Sequence, residues 1–482
     1  MDRISNLPNE IICHIVSFLS AKEAAFALVL SKRWQNLFTI VQKLEFDDSL
    51  KNQGSLMDFV DGVLALPITT RIRKFSLIYH NPLVRILRGT GLVIDPHLVN
   101  RFLCNVLKRG VLDLKLDIYV EEGYLLPSEV FTCSTIVELK LNCNTIVESH
   151  TLGYLVIDVI PEGALLPGLE SLYLKSLRFS DLRGCAFQTL LSACPVLKTL
   201  TIDDVEWEHW KWSRTVSSPT LQRLIIQRSE YDGFSGSDFK SITFDTPNLT
   251  YLEYDDFVPD EYPVVNFDSL VEAKLDLTMT VNHDRPASYL DEDDLITSNP
   301  TNLIKGLRNV EILHLSSTET AQMLCFFREA IPEFINLHHL TIAPTGYEGF
   351  YWRFLPVLLK KTPNLKTLVI EGPLHYDDDD DDDDEEDEEE EEEPEYYCEC
   401  SSGCNCLLSC PVEVLEISKY RATTKDLERV KHFLGKLSCL EHVKLGVLAR
   451  GGDKEKLRIT TDLLMLPRAS VNCKIEIKFS KN

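Results

Sequence analysis

No stretch of this chain approaches the roughly 20 consecutive apolar residues that a membrane span requires. Met1 to Leu7 carries two opposite charges and no apolar segment with a small-residue cleavage site, so no signal peptide is expected. A basic excess is also missing. Lys and Arg total 49 against 75 Asp and Glu, which argues against a broad nucleic-acid surface. Catalytic motifs are absent as well. Gly89-Thr-Gly91 lacks the third glycine and preceding strand of a dinucleotide fingerprint. There is no Gly-x-Ser-x-Gly, no His-Glu-x-x-His and no phosphate loop. The 12 histidines are spread out. These absences predict a soluble, non-enzymatic protein of the cytoplasm or nucleus, with no cofactor and neither nucleic acid nor membrane as a partner.

Cysteine is plentiful, at 14 residues, but the pattern is not that of a disulfide scaffold. Most are single, and Cys13, Cys194 and Cys439 sit in apolar or repeat contexts where a free thiol acts as a small hydrophobe. The run Cys398, Cys400, Cys404, Cys406, Cys410 offers thiolates of the kind zinc takes. It lacks paired Cys-x-x-Cys knuckles, and Cys410 belongs to the strand that follows. No metal is expected; a flexible thiol-rich loop is the other reading. The net charge of −26 is mostly local, since every residue from Asp377 to Glu393 is acidic. Such a run cannot repay its ordering entropy and is expected to be disordered. It is a solvated insertion, a clamp for a basic partner or a divalent-ion sponge.

The first forty residues have their own texture. After Leu7-Pro8 come Ile11, Ile12, Ile15, Val16, Phe18 and Leu19, spaced for one helical face. Pro8 suits a first helical turn. Ser20 and Glu23 form a capping-box pattern ahead of a second helix near 21–30, and Lys32 to Phe38 suggests a third. Three short helices cannot bury so many apolar groups among themselves, which implies a docking partner.

Beyond Lys43 a Leu-x-x-Leu-x-Leu pattern recurs, as Val111/Leu114/Leu116, Ile136/Leu139/Leu141, Leu169/Leu172/Leu174 and Leu197/Leu200/Ile202. It continues through Leu365/Leu368/Ile370. Most copies lie about 21 to 33 residues apart, overlapping the leucine-rich-repeat period of roughly 20–29. Pro195, Pro247 and Pro363 each stand two residues before the first leucine, where they end one element and lead into extended chain. The fold class predicted is an α/β solenoid. It has three N-terminal helices, an irregular leucine-rich-repeat arc with parallel strands on its concave face, and an α+β cap. The segment 282–299 is the best loop candidate. After Cys410 the cap is expected to hold a helix over Thr424 to Leu437 and a last strand from Val471 to Phe479.

Residues 3–38, with Leu7-Pro8, Ile11/Ile12/Ile15, Phe18-Leu19 and Lys32-Arg33-Trp34, closely resemble an F-box. The stretch from Cys410, through Val-Lys-His-Phe-Leu to Asn-Cys-Lys-Ile-Glu-Ile-Lys-Phe, resembles the FBD domain. With the repeats, the resemblance to plant F-box/FBD/LRR-repeat proteins covers nearly the whole chain. It implies an F-box at 1–45, repeats at 46–372, an acidic, Cys-rich insertion at 373–409 and an FBD domain at 410–482. It further implies a substrate-receptor subunit of an SCF-type (Skp–cullin–F-box) E3 ubiquitin ligase. Leu7, Pro8, Ile11, Ile12, Ile15, Leu28 and Trp34 would bind the Skp-type adaptor, which bridges to cullin and a RING subunit. The alternatives are a non-ligase scaffold and a small-molecule-responsive receptor.

The protein target is not named by the sequence. Strand positions between the leucines are candidates for its surface: Tyr173, Thr201, Ile225, Glu253, His314 and Thr341. Trp207, Trp210 and Trp212 either anchor a partner or close a gap between repeats.

Overall fold

The computed structural model describes residues 7–16, 42–47, 53–65, 72–79, 95–121, 124–146, 152–157, 159–180, 186–208, 214–228, 240–281, 296–343, 351–372, 410–448 and 452–480, with a few isolated positions besides. The helices expected at 21–30 and 32–38, most of the loop at 282–299, the acidic run 377–393 and Cys398, Cys400, Cys404 and Cys406 lie outside them. The chain divides into two compact units, residues 1–232 and 233–482.

In the first unit the strands are β1 (Lys43–Phe46), β2 (Lys74–Tyr79), β3 (Asp113–Glu121), β4 (Glu138–Ile146), β5 (Leu152–Ile157) and β6 (Ser171–Lys175). They continue with β7 (Leu177–Ser180), β8 (Thr199–Asp203), β9 (Glu206–Glu208), β10 (Arg214–Ser217) and β11 (Arg223–Gln227). A parallel run joins β1, β2, β3, β4, β6, β8 and β11. Strand side chains alternate between faces, so the leucines of each triplet fall on one side. The register aligns Leu114, Leu139, Leu172, Leu200 and Leu224 in one fully buried row. A smaller parallel ladder, β5–β7–β9, runs beside it.

The start of each strand repeats one hydrogen-bond device. The Val137 carbonyl accepts from the Glu170 and Ser171 amides, and the Glu170 carbonyl accepts from those of Lys198 and Thr199. A side chain reinforces it. Thr135 Oγ1 donates to the Val111 carbonyl at 2.8 Å, and Thr220 Oγ1 to that of Leu197 at 2.8 Å. Each threonine directly precedes the first apolar residue of its triplet, so each repeat is tied to the one before it. The connecting helix Pro96–Lys108 buries Val99, Phe102, Leu103 and Val106. Asp95 caps it by accepting from the His97 amide at 2.9 Å, and Pro96 takes the first position, where no N–H is needed. Gly110, at φ +73°, turns the chain out of this helix in the left-handed region that glycine tolerates.

The second unit adds β12 (Ile242–Asp245), β13 (Tyr251–Phe257), β14 (Val265–Asn266), β15 (Glu272–Thr278), β16 (Thr280–Val281) and β17 (Arg285–Pro286). Then come β18 (Ile312–Leu315), β19 (His339–Ile342), β20 (Thr367–Ile370), β21 (Val414–Tyr420), β22 (His442–Leu448) and β23 (Lys474–Ser480). β13, β15 and β18 to β23 form a second parallel run. Here asparagine takes the tying role: Asn309 donates to the Asp268 carbonyl at 3.0 Å and Asn364 to that of Ile335 at 2.8 Å. β20 and β21 pair directly although the acidic run separates them in sequence. A Cβ on Gly446 would stand 2.6 Å from the Ser418 carbonyl oxygen, so β21 and β22 approach closely there.

Each unit is thus mainly parallel strands with intervening helices, an α/β arrangement. The last part departs from expectation. Its final strand is Lys474–Ser480 rather than Val471–Phe479, and an additional helix, Asp453–Leu464, precedes it. Cys439 is exposed, not packed as a small hydrophobe, whereas Cys194 is buried. Among the described residues no helix is long and apolar enough to cross a membrane.

Candidate docking and recognition surfaces

The N-terminal helix spans Asn9–Val16, and the Pro8 carbonyl opens it by accepting from the Ile12 amide at 3.1 Å. Pro8 therefore stands one residue outside the helix. Its apolar residues are divided. Ile12 is 2% exposed, whereas Ile11 is 46% and Phe18 74% exposed. Pro8 is also exposed, and Leu7 and Ile15 are half-buried. The Phe18 ring stands edge-on to that of His14, at 4.9 Å between centroids. Leu28 and Trp34 lie outside the described residues.

The strand faces opposite the leucine rows are built from paired charge. Tyr173 donates its hydroxyl to Asp203 at 2.7 Å, and Lys175 reaches the same carboxylate oxygen at 2.9 Å. Burial, then the Asp203 hydrogen bond, pushes the Tyr173 phenol's pKa up. One strand over, Asn142 donates to Asp117 at 2.9 Å. Lys140 pairs with Glu138 at 2.7 Å and Lys74 with Glu45. A depression of about 340 Å³ opens among Glu45, Lys74, Ser76, Asp113, Lys115 and Glu138. Ser76 is nearly buried and small, so the longer side chains around it form the walls. Burial and the neighbouring Glu138 push the Asp113 carboxyl upward.

In the second unit, Glu253 accepts from Tyr251 at 2.8 Å and from Lys274 at 2.9 Å. His314 lies 3.8 Å from Glu272, with its ring 5.9 Å from that of His339. His339 approaches the Thr341 hydroxyl at 3.2 Å. Burial, followed by His314 and His338, lowers the His339 pKa. Among the described residues no group of His, Cys, Asp or Glu is placed to hold a metal ion.

Tyr173 and His314 stand on strand faces within networks that include Asp203, Lys175, Glu272 and His339, which the sequence did not single out, whereas Thr341 of the same set is buried. The signal for Asp203 is weak, because its partners lie 28 and 30 residues away and only the register brings them together. Trp207 is different. Its backbone belongs to β9, where it pairs with Phe179 of β7, itself the register partner of Ile157 in β5. Phe179 and Ile157 are buried, and this ladder is separate from the β4–β6–β8 ladder that carries Tyr173. Trp210 and Trp212 lie outside the described residues.

Comparison with known proteins shows the family. The F-box domain family matches residues 4–46. The family described as "FBD-associated F-box protein At5g56370, LRR repeats" matches residues 99–259. The chain is 78% identical to the Arabidopsis thaliana "Putative F-box/LRR-repeat protein At3g58920", over 100% of both chains. It is 56% identical to the Arabidopsis thaliana "F-box/LRR-repeat protein At3g58980", over 99% of this chain and 74% of the relative. It is 48% identical to "F-box/LRR-repeat protein At3g62440" of the same organism, over 99% of this chain and 100% of the relative. With an F-box match at the N-terminus and relatives this similar along its whole length, the chain belongs to the F-box/LRR-repeat protein family.

Proposed function

We propose that this chain is the substrate-receptor subunit of an SCF-type ubiquitin ligase. In that reading it is a non-catalytic part of the complex. Leu7, Pro8, Ile11, Ile15, Leu28 and Trp34 serve the Skp-type adaptor, with Ile12, 2% exposed, packing the helix inward behind them, and the adaptor brings cullin and its RING subunit. The observation that carries the reading is the outward placement of Pro8, Ile11 and Phe18 within the segment matched by the F-box family. Fully burying one large apolar side chain contributes about 1.5–3 kcal/mol, so a few such anchors suffice for a stable contact.

The target is held by the strand faces, whose charged and hydroxyl side chains are already fixed in networks such as Tyr173–Asp203–Lys175. A partner with complementary charges meets groups that need no further ordering. The domain division that accompanies this reading is 1–45, 46–372, 373–409 and 410–482. The receptor performs no chemistry. It raises the local concentration of a target lysine near the ubiquitin-charged enzyme. The test is co-purification of a Skp-type adaptor with the wild-type chain and with Leu7→Ala/Pro8→Ala. Loss of the adaptor from a variant with unchanged thermal unfolding supports the proposal; undiminished capture overturns it.

A further inference from the structure

The last strand leaves one edge open. β23 pairs along its full length with β22, and among the described residues no strand pairs with its other side. The Lys474 amide donates to the Glu441 carbonyl at 2.9 Å, so the even-numbered residues of β23 point their backbone groups at β22. The alternation of a parallel ladder then turns the N–H and C=O of Ile475, Ile477 and Phe479 toward the open edge. The side chains of these three residues are only half-buried, unlike those of the inner leucine rows. Beside them the helix Asp453–Leu464 packs on β23, with Lys456 over the Phe479 ring at 5.7 Å. That helix and the residues after it expose Leu457 at 69% and Met465 at 80%, together with Leu464 and Val471. An unpaired strand edge is a place where another strand adds.

We propose that this edge pairs with the same edge of a second copy of the chain, antiparallel about a two-fold axis through Ile477. The sequence of β23 is self-complementary in that one alignment. Ile477 faces its own copy, Ile475 faces Phe479, and Glu476 faces Lys478 twice. The alignment spans all seven residues of β23. Its hydrogen-bonded pairs are the odd-numbered residues whose backbone groups already face outward. An alignment centred on Glu476 would set Glu476 against itself and Lys474 against Lys478. A shift by one residue would put apolar side chains opposite charged ones on the wrong face. In the free chain Lys478 and Glu476 neutralise one another at 3.2 Å, and the two-fold pairing exchanges that contact for two across the interface. A two-fold contact of this kind closes on itself, so association stops at the dimer.

The test is sedimentation equilibrium of the full chain, singly and in mixtures. The wild type is expected at twice the 55.0 kDa chain mass at micromolar concentration. Glu476→Lys sets Lys against Lys at both contacts and Lys478→Glu sets Glu against Glu. Each is expected to weaken dimerisation about tenfold or more. The double variant Glu476→Lys/Lys478→Glu restores the opposite charges and the dimer. So does an equimolar mixture of the two single variants, which form a heterodimer. A monomeric wild type overturns the proposal. So does a dimer that neither single variant weakens, or one that neither the double variant nor the mixture recovers.

Discussion

The N-terminal helix and the strand ladders are both rich in leucine and isoleucine, yet they place these residues differently. Along β3, β4, β6 and β8 every triplet leucine meets its counterpart on the neighbouring strand, and Leu114, Leu139, Leu172 and Leu200 are buried in one row. In Asn9–Val16 one isoleucine is inside and its neighbour outside, with Pro8 and Phe18 left in solvent. A repeat supplies the next repeat with a partner surface, so the ladder closes its apolar demand internally. Among the described residues the helix Asn9–Val16 meets no matching row of this kind. The difference teaches where to look for partners: apolar residues outside the ladder are available for contact, while the ladder offers polar faces.

Stability and binding separate these two regions. The largest expected effect is in the ladder. Leu200→Ala removes a fully buried side chain and should cost about 2–5 kcal/mol in chemical denaturation. A loss below about 1 kcal/mol would show that the row is loosely packed. By contrast, Ile11→Ala should cost less than about 1 kcal/mol, because the residue is 46% exposed, while weakening adaptor capture.

Asp426 tests whether the second ladder unit really satisfies its own groups. It is buried in the helix Thr424–Lys436, takes the Arg421 amide at 3.0 Å on one oxygen, and has no partner for the other among the described residues. Burial pushes its carboxyl up to about 6, against the lowering effect of that amide and Arg429. The folded value is thus above the unfolded one, and the neutral acid is the form that folding favours. Its contribution is complete below about pH 4 and is lost as pH rises through about 6. Asp426→Asn should flatten that dependence, by on the order of 2 kcal/mol between those limits. A denaturation series from pH 4 to pH 7 that is identical in both proteins would contradict the assignment.

The smallest effect belongs to the polar face. Tyr173→Phe removes the hydroxyl that Asp203 accepts, at a cost of about 0.5–1.5 kcal/mol, and leaves Lys175 on the carboxylate. A fall in stability comparable to Leu200→Ala would mean that this face, and not the leucine row, holds the repeats together.

The sequence made the ladder legible because two signals coincide there, a period of two within each triplet and a longer repeat between triplets. Pro195 and Pro363 marked strand approaches for a plain steric reason. The threonine and asparagine ties were not legible as such. Thr220 and Asn364 precede their leucines visibly, but their acceptors belong to the preceding repeat. Ile11 and Ile12 illustrate the limit at the docking helix. They are the same residue type one position apart, and only the fold decides which faces inward. The helix Asp453–Leu464 escaped notice because its apolar residues are split, with Ile459 and Leu463 inside and Leu457 and Leu464 outside, among charged neighbours.

On this proposal adaptor docking belongs to the N-terminal helix and target recognition to the ladders. Amide hydrogen exchange of the full chain with and without a Skp-type adaptor tests it most directly. The account predicts slower exchange in Asn9–Val16 on adaptor binding and no change in β3, β4, β6 and β8. Protection that appears in those strands while the helix exchanges as before would contradict it.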